Sequence, residues 1–170
     1  MKHSIIIILI GIILGRPAYA QALTSSNLPI VVVNTNGQVI PNEPRIKAQL
    51  GIVYKGEGIR NNINDPRNHY NGLAGIEVRG QSSQGFPMKS YDVELWNSDS
   101  TENEVSLFGF PKESDFSLYA PYTDKTLMRN FLAYTFTREM GRWAARCRYV
   151  ELVVDDDYKG IYVLMEKIKR

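Results

Sequence analysis

The residues best suited to chemistry lie in segment 76–95, whose sequence is IEVRGQSSQGFPMKSYDVEL. A polar loop bounded by glycines carries Ser82 and Ser83, Arg79 precedes this loop, and Lys89 follows it. Hydroxyl groups, backbone N–H groups and two cations around one loop can hold a phosphate group. The segment is therefore a candidate phosphate-binding hairpin, and its composition is also typical of an ordinary hairpin loop beside a solvated lysine.

This loop differs from the two commonest nucleotide motifs. It lacks the Gly-Lys-Ser/Thr ending of a P-loop. The pattern after it predicts a strand, whereas the dinucleotide fingerprint leads into a helix. A phosphate site here would depend on the adjacent cations, above all Lys89.

Other residue types offer fewer possibilities. The run Asp155–Asp157 lacks the spaced oxygen ligands of a calcium loop, so a solvated turn is favoured over a metal site. Glu139 pairs with Lys89 only if the helix that carries it packs beside the hairpin, as in protein kinases. His69 is the only histidine after residue 20, and it lies in turn composition. Cys147 is the only cysteine, so no intrachain disulfide can form.

Residues 1–20 have the pattern of a secretory signal peptide. A short polar start precedes an apolar run over residues 5–14, and Ala18-Tyr19-Ala20 is a small-x-small cleavage site. The run is short for a membrane span, so we expect a secreted chain without a stable span after cleavage. A retained N-terminal anchor is the alternative.

The charge balance argues against nucleic acid as a partner. The chain has 20 Lys and Arg residues against 18 Asp and Glu residues. Removal of residues 1–20 takes away Lys2 and Arg16 and no acid, which leaves equal numbers. A chain without overall basic bias lacks the electrostatic attraction that drives binding to a phosphate backbone.

The apolar patterns predict mostly strands. They are expected at 30–33, 45–53, 76–79, 91–95 and 116–120, with a final hairpin over 149–165. A helix is predicted over 125–140, with Thr123 or Asp124 as its N-cap and Gly141 at its end. Its wide apolar stripe predicts burial on more than one side. This order favours an α+β fold, a mainly antiparallel sheet with one buried helix.

Several stretches together resemble the CotH kinase family, the spore coat protein H group of atypical protein kinases. The resemblance runs from about Leu28 to the end of the chain. Each motif alone would be weak, but the set is specific. The motifs are 79–83 (RGQSS), 86–91 (FPMKSY), 107–116 (LFGFPKESDF), 118–130 (LYAPYTDKTLMRN), 150–152 (VEL) and 158–168 (YKGIYVLMEKI).

The resemblance implies an ATP-dependent kinase that phosphorylates protein serine or threonine, with ATP and Mg²⁺ as cofactors and an unknown protein substrate. Lys89 would take the phosphate-binding role, and Arg79, Ser82 and Ser83 would line the nucleotide loop. Glu166 would be a further nucleotide-binding residue, and residues 165–167 would lie near the hinge to a second lobe.

The resemblance also implies a domain arrangement. After the signal peptide and a flexible segment over residues 21–28, residues 29–170 would form a kinase N-terminal lobe. In this family the catalytic and Mg²⁺-binding aspartates lie beyond the segment 166–168, so we expect a truncated kinase that is inactive alone. A non-catalytic extracellular or coat interaction module is the second interpretation. A carbohydrate-binding module is the third, although Trp96 and Trp143 have no spacing that predicts a sugar platform.

Overall fold

The computed structural model describes residues 22–168, so the predicted signal peptide over residues 1–20 lies outside the described residues. The described chain contains nine strands, one short 3₁₀ helix at Ser82–Gly85 and one α-helix, α1, at Arg129–Glu139. The strands are β1 (Ser25–Ser26), β2 (Ile30–Asn34), β3 (Ile46–Val53), β4 (Asn61–Asn62), β5 (Tyr70–Arg79), β6 (Ser90–Trp96), β7 (Asp115–Tyr119), β8 (Cys147–Val154) and β9 (Asp157–Glu166).

Seven of these strands close into a barrel, in the order β2-β3-β5-β6-β7-β9-β8. The neighbouring pairs are antiparallel, except that β2 and β8 run parallel where the barrel closes. Ile30 lies beside Glu151 at one end of this parallel pair, and Val33 lies beside Val154 at the other. Because the closing strands are distant in sequence, no hairpin pattern indicates that they pair.

The predicted α+β fold, a kinase-like N-terminal lobe with a helix buried on a sheet, is therefore wrong. The sheet closes on itself and fills its own interior with side chains. The inward-facing Ile76, Leu95, Phe116 and Tyr162 are almost completely buried. Since each strand alternates inward and outward residues, a closed sheet supplies its own core and needs no covering helix.

Helix α1 lies outside the barrel, and none of its residues is buried. Phe131 and Tyr134 pack on a small cluster on the outer surface of β8 and β9, and the Phe131 ring stacks on Tyr149 with 4.6 Å between centroids. Leu132 and Phe136 are exposed. The prediction of burial on more than one side is wrong because the helix contacts the barrel along one side only.

The start of α1 also differs from the prediction. The helix begins at Arg129, five residues after the expected cap Asp124. The Asp124 carboxylate accepts hydrogen bonds from the backbone N–H groups of Thr126 and Arg129, at 3.1 and 2.8 Å. A hydrogen bond of 2.7 Å from the Thr126 hydroxyl, followed by the backbone hydrogen bonds, lowers the pKa of this carboxyl group. Asp124 thus satisfies the first amide of the helix from one turn before it.

The two hairpins predicted from alternation are confirmed. In the β5–β6 hairpin, Val78 pairs with Tyr91 and Arg79 with Ser90. Only Asp155 and Asp156 form the β8–β9 turn, because Val154 already pairs with Asp157. Their φ values are +48° and +63°. Two consecutive positive φ values match the twist of the flanking strands.

The segment 21–28, predicted to be flexible, includes strand β1. Ser25 and Ser26 pair with Asn62 and Asn61. The Ser26 hydroxyl donates a hydrogen bond of 2.7 Å to the buried carboxylate of Glu151. Within residues 22–168, no helix has the length and apolar character required to cross a bilayer.

Candidate ligand-binding cleft

A cavity of about 330 Å³ lies where the β5–β6 loop, the end of β7, helix α1 and the end of β9 meet. This volume is at the lower end of the range of roughly 300–1,000 Å³ for small-molecule sites. Its walls combine charged, hydroxyl, aromatic and thioether groups, which suits a ligand with one polar and one flat apolar part. The lining residues include Arg79, Gly80, Ser83, Tyr119, Tyr134, Met165 and Glu166.

The cation of the cavity is Arg79, and a buried carboxylate holds it. The Arg79 guanidinium lies 3.3 Å from Asp92 and donates a short hydrogen bond to the Ser117 hydroxyl. Ser117 in turn donates to Asp92 at 2.7 Å, and the Lys167 ammonium lies 3.0 Å from the other carboxylate oxygen. Asp92 and Ser117 are buried, whereas the Arg79 side chain is 43 % exposed. The network therefore fixes Arg79 and leaves it accessible to an anion.

The loop beside Arg79 is shaped by its own hydrogen bonds. Gly80 has φ of +100°, and a side chain at this position would meet the Ser83 hydroxyl. The Gln84 amide donates to the Gly80 carbonyl and to the Asn42 side chain, while the Lys89 ammonium donates to the Gln84 carbonyl. These contacts tie the loop to both strands of the hairpin.

The structure brings together Arg79, Ser83 and Glu166, three of the five residues predicted to contact the nucleotide. The side chain of Ser82 is exposed and does not line the cavity. Lys89 does not line it either. Its side chain lies in a separate depression with Tyr91 and residues of the β8–β9 turn.

The possible partner of Lys89 is also elsewhere. Glu139 is exposed near the end of α1, and it makes no ion pair with Lys89 in the part of the chain that the structure describes. Lys89 instead bonds the carbonyl of Gln84, and its own carbonyl accepts a hydrogen bond of 2.8 Å from Tyr162. Lys89 thus contributes to the shape of the loop.

Glu166 reaches the cavity at the end of β9, but its carboxylate has a partner. It accepts a hydrogen bond of 2.7 Å from the backbone N–H of Arg146, and the Arg146 guanidinium lies 3.0 Å away. Glu166 is 9 % exposed. Glu166 therefore presents little free negative charge to a ligand. It contributes to the cavity wall through its position at the end of β9.

Asp92, Ser117 and Lys167 were not predicted as site residues. The alternation in 91–95 places Asp92 on the face opposite Tyr91, but the pattern within one strand cannot identify partners on other strands. Two aromatic residues were missed as well. Phe86 and Tyr122 both line the cavity, and their rings stack with centroids 5.2 Å apart.

The described residues do not fit a magnesium site. Within residues 22–168, no group of three or more His, Cys, Asp or Glu side chains is placed to hold a metal ion. The carboxylates next to the cavity, Asp92 and Glu166, are bound by arginine and lysine side chains. Mg²⁺ would have to displace these cations to gain its oxygen ligands.

A comparison with protein-family models gives one match, to the family described as CotH kinase protein, over residues 76–170. The match covers more than half of the chain and includes every residue that lines the cavity. A comparison with curated proteins found none that matched.

Proposed function

The chain belongs to the CotH kinase protein family, and on that premise we propose that its cleft binds the phosphate groups of ATP. The reaction that this binding serves is the transfer of the terminal phosphoryl group to a serine or threonine hydroxyl of a protein substrate. The predicted signal peptide supports a secreted location for this activity.

The observation that carries the proposal is the position of Arg79. Its guanidinium is anchored by Asp92 and Ser117, its side chain is 43 % exposed, and Arg79 lines the cavity. A planar guanidinium with a fixed orientation is suited to phosphate oxygens, because it can donate two parallel hydrogen bonds. Anchoring lowers the entropy lost when the anion binds.

The remaining walls suit the other part of a nucleotide. Tyr119, Tyr134 and Met165 offer aromatic and thioether surface on the side of the cavity that faces α1 and β9. Burial, followed by the nearby Asp124 and Tyr134, raises the pKa of Tyr119, so its hydroxyl stays protonated and can donate a hydrogen bond. Flat apolar groups such as a nucleobase bind well to such surfaces.

We assign Lys89 an indirect role in this site. Its ammonium holds the Gln84 carbonyl, and Gln84 in turn holds the Gly80 carbonyl at the rim of the cavity. Lys89 would therefore set the shape of the loop, and Arg79 would contact the phosphate. The described carboxylates do not fit a magnesium site, so the proposed phosphate contact rests on Arg79.

The proposal is tested by titrating the chain with ATP, ADP and AMP in a calorimeter. We expect affinity to decrease from ATP to AMP, because fewer phosphate oxygens remain for Arg79. In Arg79→Met the ratio of the ATP affinity to the AMP affinity should fall by about tenfold. This factor corresponds to a loss of roughly 1.4 kcal/mol from charge-assisted hydrogen bonds. Equal affinities of the unsubstituted chain for the three nucleotides, or no binding at millimolar concentration, would contradict the proposal.

A second candidate function is a non-catalytic interaction module on the same scaffold. The observation that favours it is the large exposed apolar surface of α1, where Leu132, Phe136 and Met140 contact solvent. Exposed apolar patches of this kind commonly mark sites of protein association. The two functions are compatible, since α1 presents one side to the cavity and another to solvent.

A further inference from the structure

We propose that the outer face of α1 and the loop after it form a docking surface for an acidic segment of a partner protein that also carries apolar side chains. The surface consists of Met128, Leu132, Phe136, Met140, Arg142 and Trp143, and is called the α1 outer face below. It does not overlap the cavity, so the inference does not depend on nucleotide binding.

The apolar part of the α1 outer face follows the helix. Leu132, Phe136 and Met140 are spaced by four residues, with Met128 one step earlier, so they form a continuous stripe. Their exposures run from 39 % at Leu132 to 71 % at Met140, and Trp143 beyond the helix is 67 % exposed. Large apolar side chains are rarely left exposed in such a row, because solvation of the row is unfavourable unless a partner covers it.

The charge around this stripe identifies the chemistry of the partner. Segment 125–148 carries six basic residues and one acid, Glu139. The rest of the chain has 14 basic and 17 acidic residues, so the segment has a local excess of cations, although Arg146 and Arg148 pair with Glu166 and Glu57 outside it. An acidic partner complements these cations, whereas a basic partner would be repelled.

A concave feature adjoins Trp143. A depression of about 280 Å³ is lined by the Trp143 ring, Lys112, Arg146 and Lys167, together with Pro111, Glu113 and Glu166. Arg146 pairs with Glu166 and Lys167 pairs with Asp92, while Lys112 is a further cation on the wall of the depression. Its size suits one carboxylate side chain with its apolar stem.

A protein segment fits this surface better than an anionic membrane. A bilayer presents a flat interface, whereas the depression beside Trp143 is concave and lies to one side of the helix. The composition of the α1 outer face is that of a protein interface core, in which tryptophan, phenylalanine, methionine and arginine are enriched. Trp143 and Arg142 are the residue types that most often dominate binding energy.

The test uses the whole chain and a synthetic amphipathic peptide of about 18 residues, with leucines on one face flanked by glutamates. A scrambled peptide of the same composition controls for net charge. The surface variants are the double substitution Phe136→Ser with Trp143→Ser, and the single charge reversal Arg142→Glu. Matched controls are Val39→Ser, an apolar side chain 90 % exposed elsewhere, and Lys47→Glu on the exposed side of β3.

We expect the amphipathic peptide to bind at least tenfold more tightly than the scrambled one, with an affinity that falls as salt is added. Each surface variant should weaken binding by about tenfold, while both controls stay within about twofold. Thermal unfolding of every variant establishes that the fold persists.

Three results would overturn the inference. The first is equal binding of the two peptides, or no binding of either. The second is binding to phosphatidylserine vesicles that depends on Phe136 and Trp143 when the peptide does not bind, which would assign the face to a membrane. The third is a dimer in sedimentation that the double substitution abolishes, which would assign the face to a second copy of this chain.

Discussion

The carboxylate of Asp92 lies directly across the β5–β6 pair from Glu77, yet its ion-pair partner is Arg79, two residues farther along β5. Carboxylates opposite each other on a sheet repel. The two carboxylates therefore pair with different cations: Glu77 with Arg45 at 3.0 Å, which also pairs with Glu94 and Asp115, and Asp92 with Arg79 and Lys167. Arg79, which pairs with Asp92, also lines the cavity.

Replacing Asp92 with asparagine should destabilise the fold by about 1–3 kcal/mol, because a buried group with three polar partners loses its charge. The free energy of unfolding in urea measures this effect. Asp157→Asn is the matched control, since its carboxylate is 55 % exposed and pairs only with Lys159 at the surface. The control should stay within about 0.5 kcal/mol. Equal losses in the two variants would show that the Asp92 network contributes nothing beyond a surface ion pair.

Replacing Lys89 with methionine should weaken ATP, ADP and AMP binding by a similar small factor, about two- to fivefold. The reason is that its ammonium supports the loop through Gln84 and does not face the cavity. Arg79→Met, in contrast, should act on ATP far more than on AMP. The same calorimetric titrations distinguish the two roles. If Lys89→Met instead removed the difference between ATP and AMP, Lys89 would be the phosphate ligand.

Replacing Gly80 with alanine should weaken ATP binding and destabilise the chain by about 1–3 kcal/mol. Alanine is strained at φ of +100°, and its methyl group would meet the Ser83 hydroxyl. The matched control is Gly85→Ala in the same loop, because no atom lies within 4 Å of the added methyl group. Chemical unfolding and ATP titration of both variants provide the comparison. A larger effect at Gly85 would contradict the prediction.

Stability should fall as the pH falls below about 6.5, owing to His69. Its Nε2 atom accepts a hydrogen bond of 2.9 Å from the Phe108 N–H, so the folded state requires a neutral ring. Burial, followed by the nearby Arg148, lowers the pKa of His69. His69 therefore binds a proton more readily in the unfolded chain than in the folded chain. Stability contributed by the neutral ring is present above the unfolded pKa and is lost toward the lower folded pKa.

The measurement is the free energy of unfolding between about pH 5 and pH 8. The contribution of His69 cannot exceed about 1.4 kcal/mol per pH unit, the limit for one proton. In His69→Gln, an amide oxygen replaces the ring nitrogen as acceptor, and the curve should be flatter below pH 6.5. An unchanged slope would assign the pH dependence to carboxyl groups.

Alternation along the chain was sufficient to predict the β5–β6 hairpin and the inward face of β6. Tyr91, Val93 and Leu95 alternate with Asp92 and Glu94, and the structure buries the three apolar residues in the barrel. The β8–β9 hairpin was also predictable, because its acidic turn separates two apolar runs. Such features depend on residues a few positions apart, where side-chain direction follows directly from the backbone period.

Family resemblance predicted a site at the loop and gave the phosphate-binding role to Lys89, whereas the residue that lines the cavity is Arg79. Arg79 and Lys89 flank the same loop in the sequence. Only the contacts of Arg79 with Asp92 and Ser117 on neighbouring strands orient it toward the cavity. The sequence alone could not distinguish these two side chains, because their partners lie on other elements.

The sequence by itself therefore determined most of the barrel strands, the two hairpins, the helix between them and the family of the chain, but it missed β1, β4 and the first part of β5 over residues 70–75. Tertiary structure decided that the sheet closes, that α1 lies outside it, and that Arg79 rather than Lys89 lines the cleft. The physical reason is the range of the interactions. Alternation is a property of neighbouring residues, whereas barrel closure depends on β2 pairing with β8 across most of the chain. The free energy of that pairing comes from contacts that no local pattern encodes.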